Sequence, residues 1–175
     1  MFLHPSRIVE LLDVRPGMKV ADFGCGAGHF TIEIAKRVSK DGIVYAFDVQ
    51  KEVLDALKSK AVLENVANIE YRRVDLEAEN GTQLADDLVD VVLISNVLFQ
   101  VGDKESLAKE SSRILKSGGR IVFIDWKLSA SLLGPPKSSR IDKESAIKLF
   151  SNVGLTVEKD FDAGDSHYGV VFMKR

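Results

Sequence analysis

Residues 19–30 read Lys19-Val20-Ala21-Asp22-Phe23-Gly24-Cys25-Gly26-Ala27-Gly28-His29-Phe30. An apolar start runs into glycines at alternate positions and then into a helical pattern of Ile32, Ile34, Ala35 and Val38. The reading is strand, tight turn, helix. Glycines at 24, 26 and 28 let the main chain turn with no Cβ in the way, so a ligand can lie against the backbone.

The spacing narrows the ligand. A dinucleotide fingerprint wants a small third residue, and counting from Gly24 that position is His29, which is bulky. A phosphate loop needs Gly-Lys followed by Ser or Thr, and that sequence is absent. Asp22 stands two residues before the first glycine, where a carboxylate suits a ligand with a cationic end better than a pyrophosphate.

Outward from the loop, short β-branched runs at 19–23, 43–48, 69–74, 90–95 and 120–125 alternate with helical periodicity. Asp41-Gly42 and Ser117-Gly118-Gly119 supply breaks before the second and fifth runs. Strands alternating with helices predict an α/β fold, a mostly parallel sheet with helices on both faces. The tail departs from this: runs at 155–161 and 168–173 are joined by five residues, too few for a helix, which predicts a C-terminal antiparallel hairpin. Residues 6–13 carry Ile8, Val9, Leu11 and Leu12 at helical spacing, so 1–17 form a helical cap expected to cover a sheet edge or to wall a ligand pocket.

Length and composition agree with one domain over 1–175: 45% hydrophobic and 29% charged residues exclude a disordered chain. A formal net charge of -2 excludes a broad nucleic-acid footprint. Cys25 is the single cysteine, which excludes an internal disulfide and fits a cytoplasmic setting. The start has no basic segment leading into an apolar one, so no signal peptide is expected. The most apolar stretch, 91–101, is too short to cross a bilayer. No metal-ligand spacing links the histidines with Cys25, and no metal is expected.

The run Asp22-Phe23-Gly24-Cys25-Gly26-Ala27-Gly28 resembles the first motif of class I S-adenosylmethionine-dependent methyltransferases, acidic-x-G-x-G-x-G, and that family's Rossmann-like, seven-stranded sheet also ends in a hairpin. The likeness extends from Val20 to the end, in the style of the small-molecule branch related to quinone biosynthesis. It implies S-adenosyl-L-methionine as cofactor, S-adenosyl-L-homocysteine as product, and a small-molecule acceptor. Asp48, ending the second strand 20 residues past Gly28, is implied as the ribose ligand, with Val49 against the adenine. Asp75 and Leu76 are implied at the adenine amino group, and Ser95 and Asn96 beside the methionine. Ser95-Asn96-Val97-Leu98 lacks the prolines of amine methyltransferases acting on adenine or glutamine, and Cys25 is placed wrongly for attack on a pyrimidine.

Methyl transfer from a sulfonium demands alignment more than acid or base. His4, Asp125 and His167 are candidate catalytic groups; Phe99, Trp126 and Tyr168 are candidate acceptor contacts. Residues 128–140, with Leu128, Leu132, Leu133 and Pro135-Pro136, form a candidate lid after the fifth strand. Two other functions stay open: a nicotinamide-dependent oxidoreductase, opposed by His29 and the hairpin, and a cofactor-binding module without catalysis. The protein is expected as a monomer or a homodimer, a choice the sequence leaves open.

Overall fold

The computed structural model describes residues 5–129 and 134–175. Seven strands form one sheet in the order β3-β2-β1-β4-β5-β7-β6. The parallel part comprises β1 (Lys19–Phe23), β2 (Ile43–Asp48), β3 (Ile69–Arg73), β4 (Val89–Ser95) and β5 (Leu115–Trp126). β6 (Leu155–Asp162) and β7 (His167–Lys174) form the antiparallel hairpin, and β7 is also antiparallel to β5. The inner strands are apolar on both faces because helices cover both.

One face carries α1 (Pro5–Leu11), α2 (His29–Val38) and α3 (Lys51–Leu63). Ile8, Val9 and Leu12 pack with Ile34 and Val38 onto Val20, Leu93, Val122 and Val171. The other face carries α4 (Lys104–Ile114) and α5 (Lys143–Ser151), whose Leu107, Ile114 and Phe150 meet Phe23, Val92, Phe123 and Phe172. α1 thus covers a face of the sheet and not an edge, since its apolar stripe is matched by strand residues of alternate parity.

Two connections differ from the sequence reading. The third crossover, residues 74–88, is a chain of turns with no helix. Its fixing point is Glu110 of α4, buried, which accepts hydrogen bonds from Thr82 N (2.9 Å) and Thr82 Oγ1 (2.5 Å) and pairs with Arg113 (2.7 Å). Those bonds outweigh burial and hold the Glu110 carboxyl below its ordinary value. The glycines at 118 and 119 do not end β5: Val89 pairs with Leu115 and Val91 with Arg120, so the intervening residues bulge out and the strand resumes.

Strand order reverses at β1, which pairs with β2 on one side and β4 on the other. In open α/β sheets such a switch point opens a crevice at the carboxyl ends of the strands.

Candidate functional site

A cleft of about 470 Å³ lies at that crevice. Its floor is the glycine loop. Cys25 N donates to Phe47 O (2.9 Å), Gly28 N donates back to Cys25 O (2.9 Å), and α2 starts at His29 with no side-chain cap. All three glycines have positive φ, at +71, +49 and +71°, but their surroundings differ. A Cβ on Gly24 would sit 2.7 Å from Val97 Cγ2, and one on Gly28 would sit 2.1 Å from Leu57 Cδ1. A Cβ on Gly26 would meet only Gly24 O, at 3.9 Å. Protein packing explains two of the glycines; at 26 the space belongs to the cleft.

Acidic groups ring the loop. Asp22 is buried and accepts a 2.6 Å hydrogen bond from Thr31 Oγ1. Burial pushes its carboxyl up to about 6, against the pull of Thr31 and helped by the negative charge of Asp48. The Asp48 carboxylate is clamped, with Oδ2 accepting from Gly26 N (3.2 Å) and Oδ1 from Gln50 N (3.0 Å). Val49 is exposed beside it, and its carbonyl accepts from Arg73 Nε. Asp75 Oδ1 accepts from Glu77 N (2.9 Å), and Leu76 is buried against the core. Burial also pushes the Cys25 thiol well up, aided by Asp22 and Asp48, so it stays protonated.

Asp22, Gly24, Cys25, Gly26 and Gly28 line the cleft, as do Asp48, Val49, Asp75, Leu76, Ser95 and Asn96. β4 ends in a sharp turn at Asn96 (φ +59°), whose N–H donates to Ile124 O (2.9 Å). Ser95 Oγ and Asn96 Oδ1 are buried in the cleft wall without a hydrogen-bond partner. Sequence reasoning missed Gln100 and Glu77, which also line it. Glu77 Oε1 accepts from Asp103 N (2.6 Å) and ties the third crossover to the turn after β4. Both are polar residues in turns, a pattern with no local signature.

A family model described as a methyltransferase domain matches residues 15–160. The chain belongs to this methyltransferase domain family. A demethylmenaquinone methyltransferase of Bacillus mycoides (strain KBAB4) is 33% identical over 119 residues, 67% of this chain and 48% of that protein. The ubiquinone/menaquinone biosynthesis C-methyltransferase UbiE of Vibrio campbellii (strain ATCC BAA-1116) is 28% identical over 159 residues, 89% of this chain and 58% of that protein. The chain therefore spans about half the length of the curated relatives it matches. Among solved structures, a SAM dependent methyltransferase from Aquifex aeolicus superposes with a TM-score of 0.90 at 24% identity, covering 99% of this chain and 91% of that one. At that identity the structural likeness speaks for the class I methyltransferase fold.

The residues present fit the methyltransferase cofactor, S-adenosylmethionine. The approach to the main chain at Gly26 is open, and the buried Ser95 and Asn96 oxygens await partners on the cleft side. Among the described residues no cluster of His, Cys, Asp and Glu has metal-holding geometry, and no helix is long and apolar enough to cross a membrane.

Other candidates fall elsewhere. Phe99, in the short turn after β4, does not line the cleft. Asp125 and Trp126 are neighbours on β5 and so point to opposite faces. Asp125 is fully buried under the turn at Leu98, and burial pushes it up to about 6 against hydrogen bonds from the Trp126 and Leu98 amides. Tyr168 faces the α4–α5 core, packs on Phe123 and donates to Ile141 O (2.9 Å), which places it in the core and outside the cleft lining. Among the described residues of α1, none lines the cleft. His4, Leu132 and Leu133 lie outside the described residues.

Proposed function

We propose that the protein transfers a methyl group from S-adenosylmethionine to a small-molecule acceptor. The observation that carries this reading is Gly26: a left-handed glycine that no protein neighbour requires, at the floor of an acid-lined cleft. When bound, the cofactor supplies a methyl carbon on a sulfonium, which becomes the neutral thioether S-adenosylhomocysteine once an in-line nucleophile takes the methyl.

The chain's own residues bind and align. Asp48, already oriented by the Gly26 and Gln50 amides, receives the ribose hydroxyls. Val49, Asp75 and Leu76 hold the adenine side. Asp22 supplies the counter-charge for the cationic end, with Ser95 and Asn96 beside it. Gly24, Cys25 and Gly28 shape the loop. The names of the Bacillus and Vibrio relatives support a quinone-type acceptor. The lone buried Cys25 supports a reducing cytoplasm as the setting.

Asp48→Ala is the direct test. Loss of charge-assisted bonds worth roughly 1.5–3 kcal/mol weakens S-adenosylhomocysteine binding by about one to two orders of magnitude by calorimetry. Unchanged affinity removes Asp48 from the site, and binding of NADH without S-adenosylhomocysteine overturns the reading.

A pH dependence follows from Asp22. In the empty cleft it is neutral below about 6, whereas a bound cation favours the carboxylate. Binding below that pH requires loss of the Asp22 proton, so affinity falls by up to about tenfold per pH unit as pH drops and levels off above it. The Asp22→Asn variant loses this pH slope. A parent profile flat from pH 5 to 7.5 contradicts the assignment, with those limits set at roughly one unit or more on either side of the transition.

A further inference from the structure

The two sides of α2 lead to different ends of the cleft. Ile32 packs with Cys25, Ala46, Leu54 and Leu57, toward β2 and α3. Phe30, roughly 160° away around the helix axis, packs instead with the cluster that joins α1 to Leu93 and Ile124. It is half-buried there, and it lines the cleft. Ser95 lies two residues beyond Leu93 on β4 and so shares this face of the sheet. Asp48 and Asp75 stand at the other end of the cleft, past β1, at the end of β2 and just after β3.

Phe30 carries the only phenyl, phenol or indole ring among the described residues that line the cleft. The charged lining is of one sign: Asp22, Asp48, Asp75 and Glu77, with no Lys or Arg among the described lining residues. These four carboxyl groups accept only from the Thr31 hydroxyl and from main-chain N–H groups, so no ion pair offsets them. The lining histidine, His29, is turned toward α3, where its Nδ1 lies 3.4 Å from Lys60 Nζ. A bound sulfonium would offset one acid and leave the others.

We propose that Phe30 selects the methyl acceptor: an aromatic ring without negative charge lies against its phenyl group at the Ser95 end of the cleft, and an anionic ring is refused. This rests on the methyl-transfer reading above. The phenyl group gives an aromatic ring a contact that a saturated ring of the same carbon skeleton does not make. The unpaired acids make the entry of an anion costly, with no lining Lys or Arg to receive it. Selection is thus for aromaticity at Phe30 and against negative charge across the cleft.

The probes are 2-naphthol, its saturated relative decahydro-2-naphthol and the anion 2-naphthoate. Each is titrated by ligand-observed NMR near neutral pH under saturating S-adenosylhomocysteine. 2-Naphthol is expected to bind saturably, about threefold or more tighter than decahydro-2-naphthol and about fivefold or more tighter than 2-naphthoate. In the parent protein, nuclear Overhauser contacts are expected between the naphthol and Phe30 rings. Phe30→Leu, which keeps an apolar side chain against α1, is expected to abolish the preference over decahydro-2-naphthol and to leave S-adenosylhomocysteine affinity within about twofold. Phe30→Tyr keeps the ring and is expected to retain the preference. No saturable binding of 2-naphthol, equal or tighter binding of 2-naphthoate, or a preference unchanged in Phe30→Leu overturns the proposal. So does a loss of S-adenosylhomocysteine affinity beyond about tenfold in Phe30→Leu, which would make Phe30 a cofactor contact. If Phe30→Leu does not fold, the ring contacts and the probe ranking in the parent protein decide alone. Failure of the parent protein to bind S-adenosylhomocysteine overturns the cofactor reading instead, and the contacts to Phe30 still decide the subsite.

Discussion

Gly26→Asn is expected to leave the protein folded and to abolish S-adenosylhomocysteine binding. Position 26 has φ +49°, a conformation Asn tolerates better than other side chains, so the strain is about 1 kcal/mol or less. The new Cβ meets no protein atom closer than 3.9 Å, so the side chain enters the cleft where the ligand lies against the main chain. Loss of that approach, together with steric exclusion, weakens binding by more than about a hundredfold, at least 2.7 kcal/mol. Gly28→Ala gives the contrast: its Cβ would lie 2.1 Å from Leu57 Cδ1, so stability suffers first. Calorimetry and thermal melts on the two variants separate the effects. Binding by Gly26→Asn at the parent affinity would mean that no ligand lies on the loop.

The second large effect is on stability. Glu110→Ala leaves the buried Thr82 N–H and hydroxyl without their acceptor and takes one of its two carboxylate partners from Arg113, which keeps Asp86. Breaking a buried, hydrogen-bonded pair costs about 3–5 kcal/mol. At about 2–4 °C per kcal/mol, Tm falls by roughly 6–20 °C. The crossover freed in this way carries Asp75, Leu76 and Glu77 to the cleft, so cofactor affinity drops as well. A Tm within about 2 °C of the parent would show that the crossover is held by other contacts.

The glycine loop was legible because its information is local: acid, glycine spacing and flanking periodicity all lie within residues 19–38. Asp48 lines the cleft from the end of the second strand, where the resemblance implied a site residue. The third crossover was not legible, since its order comes from Glu110 on a helix distant in sequence. That Asp125 and Trp126, both candidates for the site, face opposite ways was also legible, because adjacent strand residues alternate. Tyr168 illustrates a limit of another kind. Its ring is held by Phe123 and its hydroxyl by the Ile141 carbonyl, contacts that exist only once the sheet has formed. The hairpin was evident from its short connection, but which strand lies inside was decided by composition: β7 is apolar on both faces, while β6 carries Glu158, Lys159 and Asp160.

That placement of β7 between β5 and β6 bears on biosynthesis. A ribosome releases β6 before β7, yet β6 has no partner until β7 is available. Until residues 167–174 emerge, β5 presents an open edge flanked by Ile121, Val122, Phe123 and Ile124, all fully buried in the finished molecule. An apolar strand with free amides and carbonyls is the kind of surface that recruits strands from other chains. The nascent chain is therefore most exposed to aggregation between the emergence of β5 and that of β7, the interval in which holding chaperones would act.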